Sequence, residues 1–176
     1  MLPEPVHEKT VDLFFCGKVE AGSEVPRRGV AELRTLQSEG YRIEVCDRRL
    51  PMSAFLQRTA DAWLAWSPEG LGWDCMRHYE IAGCGTVQLV NYPSIHRHRP
   101  FLDGQHCILY GVEPGGLAGA VRRALADKPR LRQMGLAARA HVIENHTHRR
   151  MCSYIAQTCL AASNHSDTAA SDAAPW

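Results

Sequence analysis

Short apolar runs punctuate the chain, and between them apolar residues recur at helical spacing. Residues 11–16 (VDLFFC) are mostly apolar and end at Gly17, the pattern of a buried strand that delivers a loop from its carboxyl end. The polar, glycine-bounded stretch GKVEAGSEVPRRG follows, and then Val30, Leu33 and Leu36 mark a helix that Gly40 is placed to end. In residues 41–47 (YRIEVCD), Tyr41, Ile43 and Val45 alternate with Arg42 and Glu44, so this strand has one more exposed face and belongs near a sheet edge. A short helix over 53–60 leads to 62–66 (AWLAW), which is wholly apolar and therefore central. A turn rich in proline and glycine then joins that run to a helix expected over 74–83, which returns the chain to a fourth strand at 87–91. The loop PSIHRHRPFLDGQH precedes a fifth strand at 107–110. Helices are expected over 117–126 and 131–144, with Pro129 breaking one from the other, and a last helix over 149–162.

Strands alternating with helices at this spacing predict an α/β fold, a Rossmann-like parallel sheet with right-handed crossovers and helices on both faces. Ligands of such sheets sit outside the carboxyl ends of the strands, so the loops after Cys16, Trp66 and Asn91 should share one rim. Residues 1–10, polar with two prolines, read as an N-terminal arm; 11–162 form one domain; 163–176, small and polar, are expected to be a disordered tail.

Bulk properties narrow the function by exclusion. A chain of 176 residues buries a core without staples, and a formal net charge of +1 is not that of a dedicated nucleic-acid binder. The arginine pairs 27–28, 48–49 and 149–150 lie among acidic residues and read as solvated surface. The 7 cysteines include no CxxC, which leaves buried thiols in a reducing cytoplasm as the simple account. No leader pattern opens the chain and no run approaches a membrane span, so a soluble, cytoplasmic protein is expected.

The chemistry concentrates in WSPEGLGWDCMRHYEIAGCG, residues 66–85. A turn carrying Gly70 and Gly72, followed by a helix, presents backbone amides and the positive end of the helix dipole, which suits a diphosphate. Asp74 stands where the helix N-cap would be, and a carboxylate there would compete for those amides. Arg77 can pair with Asp74 or reach a phosphate at the helix mouth with its fixed fork of donors. Glu80 shares the face of Arg77 and can accept from the two hydroxyls of a ribose, or simply be solvated. Glu69, within the turn, is a second loop carboxylate that can face a sugar or solvent. His96 and His98 flank Arg97 with no third ligand in reach, so a metal site is not indicated; His78 and His106 have no partner recognisable in sequence. GxSxG and Walker A strings are both absent, which removes serine hydrolases of that type and P-loop enzymes.

The string SPEGLGWDCMRHYEIAGCGTVQLVNYP, then DGQHCILY and a chain of helices ending in HVIENHTHRRMCSYI, resembles the C-terminal, donor-binding half of GT-B-fold glycosyltransferases. The group it resembles is the spore-maturation-type and exostosin-like one, with a group-1-like transferase domain. The likeness runs over residues 11–155 and implies a substrate, a nucleotide-diphosphate sugar, rather than a cofactor. It implies that Glu80 holds the ribose and that Arg77 lies near the diphosphate. Gly70, Gly72 and the adjoining Trp73 would approach the donor, and Tyr92 would begin the segment that closes over the sugar. Many relatives have two glutamates separated by seven residues, whereas Glu69 and Glu80 stand farther apart, which departs from the pattern. No D-x-D string occurs, in keeping with a metal-independent, hexosyltransferase-like enzyme, and no general base is identified. The acceptor-binding half of a GT-B enzyme has no counterpart in ten residues before Val11, so a separate partner chain or a homo-oligomer would supply it. The alternatives are a non-catalytic nucleotide-binding or interaction domain of the same fold, and an unrelated flavodoxin-like module.

Overall fold

A computed structural model describes residues 3, 8–19, 24–70 and 72–171 of the chain, with side chains as far as 162. Five strands, β1 (Val11–Cys16), β2 (Ile43–Cys46), β3 (Ala62–Trp66), β4 (Val87–Asn91) and β5 (Cys107–Tyr110), form one parallel sheet in the order β2-β1-β3-β4-β5. Every residue of β3 and β4 is buried, as expected for strands covered on both faces, and β2 at the edge is mostly half-exposed. The helices are α1 (Glu24–Ser38), α2 (Met52–Ala60), α3 (Met76–Gly83), α4 (Gly116–Leu125), α5 (Lys128–Asn145) and α6 (His148–Ser171).

Alternate residues of β1 explain the two layers. Leu13 and Phe15 point to the face covered by Val30, Leu33 and Leu36 of α1 and by Leu117 and Val121 of α4. Phe14 and Cys16 point to the opposite face, against Phe55 of α2. Burying side chains of this size contributes roughly 1.5–3 kcal/mol each. Helix α5 serves both layers, with Leu131 and Met134 in the first core and Ala138 and Val142 against α3 and Trp73. Two carboxylates fix helix starts. Glu32 of α1 accepts the N–H groups of Gly115 and Ala118 at 3.1 and 2.9 Å, closing the amino end of α4, and Asp127 accepts from Arg130 N at 3.0 Å to cap α5.

Several boundaries differ from the expectation. α1 begins at Glu24, because Pro26 is accommodated in its first turn. α4 and α5 are separate helices as expected, but α5 starts at Lys128, with Pro129 in its first turn for the same reason. α6 continues past Ala162 to Ser171, where a disordered tail was expected; residues 172–176 lie outside the described residues. Of the expected arm, Pro3 O accepts from Arg139 at 2.7 Å, and Lys9 donates to Ala60 O at 2.7 Å and Thr86 Oγ1 at 3.1 Å; most of its remainder is likewise outside.

Candidate functional site

The strand order reverses between β1 and β3, since β2 lies to one side of β1 and β3 to the other. Carboxyl ends of strands flanking such a reversal open a crevice in parallel sheets. A cleft of about 450 Å³ is found on this rim. Cys16, Gly17 and Lys18 enter it from β1, Arg48, Arg49 and Leu50 from the loop after β2, Met52 and Phe55 from α2, and Arg77 and Glu80 from α3.

Arg77 and Glu80 therefore meet in one cleft, one helical turn apart. Among the described residues neither side chain makes a hydrogen bond or an ion pair within 4.0 Å. The Arg77 guanidinium lies 5.8 Å from the Phe15 ring centroid, beside Gly17, where a Cβ would come within 3.0 Å of Nη2. A side chain at position 17 would push the guanidinium aside. Burial holds the Glu80 carboxyl above the ordinary carboxylate range, and Arg77 pulls it only part of the way back. Lys18, Arg48 and Arg49 add positive charge to the rim, so the cleft suits an anion that also offers hydroxyl donors.

The start of α3 is not as expected. Asp74 is not its N-cap: the cap is Cys75, in extended conformation and with no side-chain cap bond, and the first turn holds no acidic residue. Asp74 instead pairs with Arg97 at 3.0 Å and accepts from Tyr79 Oη at 3.1 Å. Nor is Arg97 a solvated loop residue. Its side chain is only 9% exposed and lies 4.4 Å from the Trp73 ring centroid and 5.5 Å from that of Phe101. With the carboxylate drawn away to Arg97, no side chain among the described residues caps the start of α3, although His78 N–H is taken by Cys75 O at 3.1 Å.

The remaining candidates go elsewhere. Trp73 is buried in the core between α3 and α5, donating from Nε1 to Asn91 O at 2.9 Å, and does not line the cleft. Gly70 and Gly72 lie in the turn after β3 with open space around them, and Tyr92 is 63% exposed just beyond β4; none lines the cleft. Glu69 is engaged with β4, its N–H donating to Asn91 Oδ1 at 2.9 Å and its Oε2 accepting from Asn91 Nδ2 at 3.1 Å. His78 is wholly buried between Ser67 Oγ and Trp73 O, each 2.8 Å away. The carbonyl only accepts, so Nε2 carries a proton. Burial works to raise the adjacent Cys75 thiol, but His78 and Arg77 outweigh it and bring it down to about 7. Lys18 was not singled out from sequence, and the pair Arg48 and Arg49, expected as solvated surface, is exposed but borders the cleft. The signal that points to them is the rim rule itself, applied to β2 as well as to the three strands it was applied to.

A five-stranded parallel sheet with this reversal, flanked by helices and opening a basic cleft at the carboxyl rim, defines a Rossmann-like α/β domain. The glycosyl transferase-like family matches residues 67–157, which span the turn after β3, α3, the last two strands and the following helices, and the chain belongs to that family. No curated protein matches it. Among solved structures, sucrose-phosphate synthase from Thermosynechococcus elongatus superposes with a TM-score of 0.59 at 18% identity, over 85% of this chain and 38% of that one. TarM gives 0.60 at 10% identity, over 86% of this chain and 36% of that one. At such identities the likeness is one of fold, and the chain spans little more than a third of the length of either relative. Among the described residues no helix is long and apolar enough to cross a membrane.

Proposed function

We propose that the chain is the donor-binding domain of a metal-independent, hexosyltransferase-like glycosyltransferase, and that the cleft beside α3 holds the nucleotide diphosphate of its sugar donor. The observation that carries this reading is the meeting of Arg77 and Glu80, both unbonded to the described protein, in a basic cleft at the strand reversal. Arg77 and the uncapped start of α3 bind the diphosphate and stabilise it as it departs, while Glu80 accepts from the ribose hydroxyls. Catalysis of this kind is positioning plus charge stabilisation, and it assigns no general base to this domain. Gly70, Gly72 and Tyr92 lie on the same rim side of the sheet, and we place them on the sugar side of the donor. Trp73 supports the site from beneath by fixing Arg97 and Asn91. We place the acceptor on a partner chain or a homo-oligomer that faces this cleft. The spore-maturation-type and exostosin-like group remains the subgroup we propose.

Thermal-shift titration with uridine, guanosine, cytidine and thymidine diphosphates tests the reading. One of them is expected to stabilise the chain, and Glu80→Gln to weaken it by about tenfold or more, the loss of a charged hydrogen bond. If none stabilises the protein, the donor site is not there.

A further inference from the structure

Cys16 closes β1 and Cys46 closes β2, and the two are partners in the parallel register. Partnered residues leave a sheet on the same face, here the face of α2, where Phe14, Leu50 and Phe55 surround them. Their thiols converge. Each donates to the same acceptor, the carbonyl oxygen of Arg48, at 3.3 Å. Neighbouring strands run about 4.8 Å apart, within the roughly 4.4–6.8 Å between Cα atoms that a disulfide spans. Burial, and after it the neighbouring Cys46, raises the Cys16 thiol, so the two groups sense each other. Cys16, Arg48, which carries the shared acceptor, and its neighbours Arg49 and Leu50 also line the cleft.

We propose that Cys16 and Cys46 are a modification site that closes into a disulfide by exchange with a small-molecule disulfide, and that closure loosens the cleft wall formed by Arg48, Arg49 and Leu50. The second half rests on the nucleotide-diphosphate reading above; the bond itself does not. Cys46, the more exposed thiol, attacks one sulfur of the small disulfide as its thiolate and expels one thiolate. Cys16 then attacks the Cys46 sulfur of the mixed disulfide and expels the other half. The net change is two protein thiols and one small disulfide converted to one protein disulfide and two small thiols, both protons passing to the released thiols. A disulfide donates no hydrogen bond. The Arg48 carbonyl loses both of its donors at once, and the loop after β2 is released from the ends of both strands.

The test uses the full chain. After incubation with oxidised glutathione, free thiols are blocked with iodoacetamide and tryptic peptides are mapped without reduction. A peptide joining Cys16 to Cys46 is expected in the native protein and absent from Cys46→Ser, which keeps a hydroxyl donor for the Arg48 carbonyl. Recovery of both cysteines alkylated, or each carrying glutathione, overturns the proposal. The four nucleoside diphosphates are then titrated into reduced and oxidised protein. About tenfold weaker binding after oxidation is expected, reversed by dithiothreitol and absent from Cys46→Ser. Equal affinity in both forms refutes the loosening of the wall. If reduced protein binds none of the diphosphates, the donor reading fails by itself, and brief tryptic cleavage after Arg48 and Arg49 decides the wall: faster cleavage of the oxidised form supports its release, and equal rates refute it.

Discussion

Replacing Gly29 by alanine sets two effects against each other, and the geometry decides which wins. Gly29 lies inside α1, where alanine is favoured over glycine by about 1 kcal/mol. A Cβ at that position, however, would lie under 3.0 Å from both Cζ2 and Cη2 of Trp66, and 3.2 Å from Leu117 Cδ2. Trp66 has little room to yield. It is fully buried, its Nε1 donates to Tyr110 Oη at 2.8 Å, and its ring stands 4.6 Å from that of Phe15. Overpacking against a ring held in this way costs about 1–3 kcal/mol, and more where no rearrangement is open. So close an approach belongs to the upper part of that range, about 2–3 kcal/mol, which leaves a net loss of about 1–2 kcal/mol, or a Tm lower by roughly 3–6 °C for a chain of this size. Thermal and urea unfolding followed by circular dichroism measure it. Gly119→Ala is the control: its Cβ meets only the mobile end of Arg123, 3.2 Å away, so helix propensity should prevail and Tm should rise slightly. A Gly29→Ala protein as stable as the parent, or more so, would falsify the argument that Trp66 is fixed.

Two further outcomes follow from the titrating groups of the site. Burial raises the Glu80 carboxyl above its ordinary value against the pull of Arg77, so in the window between the two values the folded chain keeps a proton that the unfolded chain has lost. Stability therefore falls as pH rises through that window, and Glu80→Gln should raise Tm at neutral pH while changing it little below about pH 4; a lower Tm at neutral pH counts against the assignment. Although burial works to raise it, the Cys75 thiol is brought to about 7 by His78 and Arg77, whereas burial pushes Cys84 and Cys107 up to about 12. Iodoacetamide labelling of native protein, read by peptide mapping, should show a Cys75 rate that levels off above about pH 7 and slows in Arg77→Met, with Cys84 and Cys107 still unlabelled; a Cys75 as inert as those two contradicts the reading.

The central strands are legible in sequence because a parallel strand covered on both faces leaves no polar alternation. AWLAW and VQLVN therefore stand out as apolar blocks, Gln88 aside, and the partial alternation of Ile43 to Cys46 marks the edge. The shared helical face of Arg77 and Glu80 is equally legible, since one helical turn sets it. What is not legible depends on contacts between distant residues. Asp74 follows glycine and tryptophan in the manner of an N-cap, yet Arg97, in the loop after β4, claims its carboxylate. Trp73 sits beside a glycine turn but is drawn inward by Asn91 and Arg97. The convergence of Cys16 and Cys46 exists only once strand register is known, because the residues between them carry no trace of it.

The carboxylate of Glu32 makes the rim of this sheet unequal from end to end. It acts as a resident ligand for α4, occupying the amides of Gly115 and Ala118 that would otherwise attract any free anion near β5. The start of α4 is thus already filled by the chain's own charge, whereas the first turn of α3 holds no acidic residue. On the proposed reading, selection between similar docking positions falls to a residue that the selected ligand never touches.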